Sequence, residues 1–228
     1  MIKLLSCFED DGRQDVNYIK IAASIKAYTL SRGFLSAWAS GDTLIFKQDD
    51  FLVLCGEDFE PEELKRFISM LGVRGISCSV SAAEKLGFPY KTHNVMRSVC
   101  GFFADADFAP KTDEVYRILS LGTDGDIMLP ERTAFMADLS HRVRHGAALA
   151  CTYKGAAVVA PYISEGGALI CGVSAGDMRG HGFAGVAVAA MVGKIGKPTF
   201  VICSDELVGF YKKYGFFENG KTAEIIFE

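Results

Sequence analysis

Gly172 to Val192 reads GVSAGDMRGHGFAGVAVAAMV, and the rest of the chain is organised around this stretch. The residues leading into it, Ala168 to Val173, have the length and composition of a short buried strand. Gly176-Asp-Met-Arg179-Gly-His-Gly182 then supplies a glycine-rich turn, and from about Phe183 the residues are small and apolar over the length of a helix. Strand, glycine-rich loop and helix N-terminus in that order make an anion site. Glycine lets the backbone approach closely, and the first turn of a helix offers unpaired N–H donors at the positive end of its dipole. The stretch predicts a bound phosphate or pyrophosphate.

With 228 residues the chain has room for one large or two small domains, and 50% hydrophobic with 23% charged residues is ordinary for a globular protein with a real core. A formal net charge of -4 argues against nucleic acid and anionic membranes as partners, since both need clustered Lys and Arg. No apolar run reaches the ~18 to 20 residues of a spanning helix, because Lys154, Glu165, Arg179 and Lys194 interrupt the richest region. The start, MIKLLSCFEDDG, turns acidic at Glu9 and lacks the apolar core of a signal peptide, so a cytoplasmic location is expected. Seven cysteines form no C-x-x-C pair. Cys55, Cys78, Cys151, Cys171 and Cys203 lie in apolar runs and read as reduced, buried side chains rather than a disulfide framework, and no metal site is expected.

Taken in order, Asp15 to Phe34 has helical periodicity with Gly33 as a stop, and Thr43 to Lys47 with Phe51 to Cys55 reads as a hairpin. Pro61 opens a helix that carries Glu62 and Glu63 in its first turn and ends at Gly72. Gly75 to Val80 is a strand and Ser81 to Leu86 a short helix. Tyr90 to Asn94, polar and behind a proline, reads as the boundary between a domain of residues 1–94 and one of 95–228. Beyond it come a strand (Val95 to Phe103), helices (Thr112 to Ser120, Pro130 to Val143) and a hairpin (Ala147 to Tyr153, Ala156 to Ile163). The central strand, loop and helix to about Ile195 follow, then a strand (Thr199 to Cys203), a helix (Asp205 to Tyr214) and a closing strand (Ala223 to Phe227). The succession predicts an α/β fold with a mixed sheet and helices on both of its faces. Lys85-Leu-Gly-Phe88 and Lys213-Tyr-Gly-Phe216 end corresponding helices in the two halves, which suggests an internal repeat.

Further along from the loop, after a strand and a helix, stands Phe210-Tyr-Lys-Lys-Tyr-Gly-Phe216. Together the two stretches resemble the GNAT superfamily of acyl-CoA-dependent N-acetyltransferases. That family's loop, Gln/Arg-x-x-Gly-x-Gly/Ala, is matched by Arg179, Gly182 and Ala184, and its aromatic-Tyr-x-x-x-Gly-Phe signature by Phe210, Tyr211, Gly215 and Phe216. The resemblance covers roughly Val95 to Glu228, and the element order there is the family's. It departs at Ser174 to Met178, where many members have a proline; the cradle needs amide donors rather than that proline, so coenzyme binding is still expected.

The resemblance implies the GNAT fold with a mostly antiparallel, twisted sheet, acetyl-CoA as co-substrate, and direct transfer to an amine. Backbone N–H groups of Arg179, Gly180, His181, Gly182, Phe183 and Ala184 would hold the pyrophosphate. The strand from Cys171 to Ala175, with Val173 and Ser174, would receive the pantetheine arm, and the Val173 N–H would polarise the thioester carbonyl. Tyr211 would protonate the leaving thiolate, since phenol and thiol pKa values lie within about 2 units of each other; its other reading is a core tyrosine in an aromatic corner. Ser204 would bond the pantetheine or cap the next helix. For the base, Glu165 is the best placed carboxylate by chain order, with a water chain as the alternative. Asp138 and His141 share a helical face with Arg142 and border the acceptor site in such a fold, unless that face is only a solvated salt bridge. In the first half Ala83 stands where Tyr211 stands, and Glu57-Asp-Phe-Glu60 replaces the phosphate loop with acids that repel a pyrophosphate. That half is expected to be non-catalytic and to wall the acceptor pocket. The acceptor is a small-molecule or peptide amine, the assembly a monomer or homodimer. A coenzyme A-binding sensor or scaffold without turnover is the alternative; Gly180-His-Gly182-Phe-Ala-Gly185 also fits the Gly-x-Gly-x-x-Gly pattern of a dinucleotide module, a reading disfavoured by the second motif at Phe210 to Phe216.

Overall fold

The computed structural model describes residues 1–30, 33–102, 104–122 and 129–227. The first half runs β1 (Lys3–Leu4), α1 (Val16–Tyr28), β2 (Leu35–Ser40), β3 (Thr43–Gln48), β4 (Phe51–Cys55), α2 (Pro61–Leu71), β5 (Gly75–Ser79) and α3 (Val80–Leu86). The second begins with β6 (Lys91–Ser98), α4 (Thr112–Ser120), α5 (Arg132–Arg144), β7 (Leu149–Tyr153), β8 (Ala156–Ala160) and β9 (Tyr162–Ile163). It ends with β10 (Ala168–Ile170), β11 (Gly172–Ser174), α6 (Phe183–Ile195), β12 (Thr199–Cys203), α7 (Asp205–Lys213) and β13 (Phe217–Ile226).

Local chemistry accounts for the helix ends. The Asp15 carboxylate accepts from the N–H groups of Asn17 and Tyr18, both at 2.9 Å, and so starts α1. Glu60 caps α2 ahead of Pro61, and Gly72 closes it in the left-handed conformation. α1 stops at Tyr28, short of the expected Phe34; Ser31 and Arg32 of that expectation lie outside the described residues. The strand β2 begins at Leu35, unanticipated because Leu-Ser-Ala-Trp-Ala-Ser carries little β-branched or aromatic weight.

Ten strands form one sheet in the order β1-β2-β3-β4-β5-β13-β6-β12-β10-β9, and β11-β8-β7 form a second. All pairs are antiparallel except β4 with β5 and β10 with β12. Each parallel pair is spanned by a helix, α2 in the first half and α6 in the second, and each half then adds a helix that ends on a left-handed glycine, Gly87 or Gly215. From these corners the closing strands change places. β6 leaves α3 and pairs with β12, whereas β13 leaves α7 and pairs with β5; the two also pair with each other. Tyr90 to Asn94, expected as a link, is therefore largely strand, and the sheet runs unbroken across residue 94. The strand expected over Val95 to Phe103 is Lys91–Ser98, with Phe103 outside the described residues. The closing strand starts at Phe217, earlier than the expected Ala223, because a register shift between Glu218 and Lys221 carries its polar Asn219-Gly220 segment.

One face of the main sheet is covered by α2 and α3 in the first half and by α6 and α7 in the second; α1 covers the other, with α4 and α5 beside it on β7 and β8. Arg142 fastens α5 to the first half. It is 1% exposed, and its Nε donates to both Asp138 oxygens (3.0 and 2.9 Å), while its terminal nitrogens donate to Ser24 Oγ and Gln48 Oε1, both at 3.3 Å. The guanidinium also lies over the rings of Tyr28 and Tyr162, and the Tyr28 phenol donates to Asp138. A buried charge persists only with such a full set of partners.

Candidate active site

The parallel pairing of β10 with β12 runs from Ala168 opposite Thr199 to Ile170 opposite Val201 and then stops. Cys171 donates its N–H to the Val159 carbonyl at 3.1 Å, and Gly172 is also paired with Val159, so two residues face one as in a β-bulge. Beyond that bulge β11 follows β8 into the second sheet while β12 continues beside β6. The strands diverge, and a cavity of about 490 Å³ opens between them. Cys171 and Val173 form one wall, Ile202, Cys203 and Ser204 the other, and Leu207 and Tyr211 of α7 close it on the side of α6 and α7.

The glycine-rich loop sits at the end of β11. Gly176, Gly180 and Gly182 have φ of +52°, +83° and +76°, values that side-chain-bearing residues rarely adopt. Gly182 occupies the N-cap of α6, no side chain caps that end, and a Cβ at Gly180 would meet nothing within 4 Å. The loop is braced from behind: Arg179 donates to the Gly122 carbonyl at 3.4 Å, and the Tyr214 ring lies on the first turn of α6, where a Cβ at Gly185 would stand 1.8 Å from Tyr214 Cζ. His181 stacks on Phe183, and the Lys154 ammonium lies over the same Phe183 ring at 5.5 Å. Val173 lines the cavity, and Arg179 to Ala184 form the turn that follows β11 and starts α6. Ser174 does not join them through its side chain, because its hydroxyl donates to the Ile118 carbonyl and accepts from the Gly176 N–H. Ser204 stands at the N-cap of α7 without a capping bond, and lines the cavity.

Tyr211 belongs to an aromatic corner and also faces the cavity. Its ring packs against Phe210 and Phe216 at 5.1 and 5.5 Å, and it lines the cavity with only 6% of its surface exposed. Burial, then the neighbouring Cys203 and Cys171, raises its pKa well above the ordinary phenol value, so the phenol stays protonated.

A second cavity, of about 450 Å³, lies beneath α4 and α5 and meets the first at Cys171, which lines both. Cys171 is thus open to the cavities, not sealed in a core as expected, and burial in the molecule pushes its thiol up to about 11. Asp138 borders this second cavity, as do Gln48 and Asp49 from the first half. His141 does not. Its Nε2 donates to the Ala27 carbonyl at 2.9 Å and its ring stacks on Tyr28, so it joins the two halves instead of facing an acceptor. Glu165 lies elsewhere, on the turn before β10, exposed, paired with Lys197 at 2.8 Å and lining neither cavity. The cleft opens at the other end of β10, which chain order alone does not reveal. In the first half, Glu57 accepts from Ser79 and Ser81 and Glu60 caps α2, so the acids that replace the phosphate loop serve local structure.

Three ionisable groups unanticipated from sequence line the first cavity on its α1 side: Lys20, His93 and Glu224. His93 Nε2 lies 3.6 Å from Glu224 Oε2 across the β6/β13 pair. The one signal in the sequence was Lys20 itself, a cation set between Ile19 and Ile21 in an otherwise apolar part of its helix.

Neither a protein-family model nor a curated protein matches the sequence. Solved structures do match in shape. A GCN5-related N-acetyltransferase from Kribbella flavida superposes with a TM-score of 0.56 at 14% identity, over 90% of this chain and 95% of that one. Another from Sphaerobacter thermophilus gives 0.51 at 14% identity over 93% of each. A Bacteroides thetaiotaomicron protein of unknown function gives 0.50 at 10% identity over 100% of each. At these identities the likeness is one of architecture, and it extends over both halves: the chain has the fold of the GCN5-related N-acetyltransferases.

Proposed function

We propose that the chain transfers an acetyl group from acetyl-CoA to an amine. The observation that carries this reading is the parting of β11 from β12 beside Tyr211, with an uncapped, glycine-rich helix start at the end of β11. The residues suit such a ligand. The N–H groups from Arg179 to Ala184 would hold a pyrophosphate, with Lys154 close by to offset its charge, and the edge of β11 would take up the pantetheine arm beside Ser204. When bound, acetyl-CoA supplies an activated acyl carbon. With Gly172 paired to Val159, strand alternation turns the Val173 N–H into the cleft as a donor to a developing oxyanion. Tyr211, kept protonated by burial, donates to the leaving thiolate.

In place of Glu165 we assign the base to His93, oriented by Glu224, because this pair lines the cavity on the face of the sheet opposite Tyr211 and α7. The acceptor is a small-molecule or peptide amine that enters beside Asp138, past walls built in part by a non-catalytic first half. A cytoplasmic setting accords with seven free cysteines, and no described helix is long and apolar enough to cross a membrane. The alternative, a coenzyme A-binding protein without turnover, is favoured by one observation: Asp138 is already paired with Arg142 and Tyr28. Thermal shift with acetyl-CoA against ATP and NAD tests both readings, which require stabilisation by acetyl-CoA alone; thiol release on adding amines then separates them.

A further inference from the structure

Lys20 leaves α1 between two buried residues, Ile19 and Ile21, and reaches across to β5. Its Nζ donates to Ser77 Oγ at 2.8 Å, and the Ser77 hydroxyl donates in turn to Asn17 Oδ1, also at 2.8 Å. Ser77 and Asn17 are 5% and 3% exposed, and both are neutral. Among the described residues no carboxylate forms an ion pair with the amine. The neighbouring thiols, Cys171 and Cys78, are each held neutral by burial, which pushes them up to about 11. His93 and Glu224 face Lys20 from β6 and β13 but lie opposite one another, and Asp15 caps the start of α1.

An ammonium here has neutral hydrogen-bond partners and no ion pair, surroundings that disfavour its charged form. Burial accordingly lowers the Lys20 pKa, against the weaker pull of the Glu224 and Asp15 carboxylates. The uncharged form of an amine is a nucleophile, and a lowered pKa enlarges its share. This one lines the same cavity as Val173 and Tyr211, the residues assigned above to the thioester, although α1 and α7 cover opposite faces of the sheet. The gap between β11 and β12 is what lets both reach one space.

Resting on the transferase reading, we infer that Lys20 is itself an acyl acceptor, acylated in cis by a coenzyme A thioester bound in the cleft. The Lys20 nitrogen forms a bond to the acyl carbon as the carbon–sulfur bond breaks. Tyr211 protonates the departing sulfur and regains a proton from the amine nitrogen, so the products are an amide on Lys20 and free coenzyme A. The amide no longer has a basic lone pair and passes the group no further. Each chain reacts once, and the acylated side chain then fills the acceptor end of the cleft, so the modification closes the site to other amines.

The test is to incubate the folded chain with acetyl-CoA and no added amine, then to measure intact mass and map the modified peptides. A heat-unfolded sample and the chemical acetylator acetic anhydride serve as controls for surface reactivity. The expected result is one acetyl group on the peptide holding Lys20, appearing before any surface lysine is modified, absent in Lys20→Arg and slowed ~100-fold in Tyr211→Phe, the scale of a lost general acid. Melting curves of both variants confirm folding. Coenzyme binding by thermal shift with Lys20 left unmodified, or acetylation spread evenly over the lysines, overturns the inference while leaving the transferase reading intact. If acetyl-CoA neither stabilises nor acylates the protein, the transferase reading itself fails.

Discussion

Tyr211 and Lys20 project from helices on opposite faces of one sheet, yet both line the same cavity. A continuous sheet would keep them apart. The chemistry assigned to the site depends on the strand separation at Cys171, and the first consequences concern the groups on either side of it.

Replacing Tyr211 with Phe removes the proton donor and keeps the ring that packs on Phe210 and Phe216. Thiol release with an amine acceptor should fall ~100-fold at an unchanged coenzyme dissociation constant. Steady-state kinetics together with calorimetric titration check this, and equal rates in the two proteins would rule out Tyr211 as the acid.

Gly185→Ala places a methyl group where the Tyr214 ring lies, 1.8 Å from Cζ. The ring has to move, and the loop it braces moves with it, so the substitution should cost about 1 to 3 kcal/mol, the usual scale of overpacking, and weaken coenzyme binding. Adding Tyr214→Ala restores the room. If the double variant binds coenzyme no better than Gly185→Ala, the contact is not what holds the loop.

Arg142→Ala should destabilise the protein by about 1 to 3 kcal/mol in urea titration, since it removes the partner of the Ser24 hydroxyl, the Gln48 amide oxygen and the half-exposed Asp138 carboxylate. His141→Ala loses one hydrogen bond and a stacked ring at the edge of the same cluster, a cost of about 1 kcal/mol, with turnover maintained. A loss of turnover at full stability in the second variant would return His141 to the acceptor site.

Lys20 and the cysteines set opposite slopes of stability against pH. In the folded protein burial holds the Lys20 pKa below its ordinary value of 10.5, so between the two values the unfolded chain binds the extra proton and stability rises with pH. The Cys78 and Cys171 thiols, raised to about 11 from 9.0, stay protonated when folded after the unfolded chain has lost those protons, and this lowers stability as pH climbs past 9.0. Lys20→Met should therefore flatten the rise on the neutral side and leave the alkaline loss in place. Urea titrations from pH 7 upward compare the two, and parallel curves would show that Lys20 is charged in both states.

The parts legible in the sequence are those written in local signals. The α6 helix was readable to the residue because Gly182 and Gly196 bracket a run of small apolar side chains, and the Phe210 to Phe216 corner because a glycine follows an aromatic helix face. Asp138 and His141 share a helical face, yet Asp138 lines the second cavity while His141 is drawn into an interface, a choice decided by α1, far away in sequence. Glu165 was misassigned because order along a chain does not say which end of a strand opens. Lys20, His93 and Glu224 come from a helix and two strands that meet only through the exchange of β6 and β13, a long-range pairing with no local signature.

That exchange also bears on how the protein is made. The strand beside β5 that completes the first half's sheet is β13, and the ribosome delivers it only after every other strand and helix. Until then β5 presents a bare edge, open to pairing with other chains. The first half cannot mature ahead of the second, so the polypeptide should behave as one cooperative unit: fluorescence of its sole tryptophan, Trp38 in β2, should report the same unfolding midpoint as far-ultraviolet circular dichroism of the whole. Nascent chains are most vulnerable to aggregation in the interval before β13 emerges, and this is where a chaperone would have the greatest effect on yield.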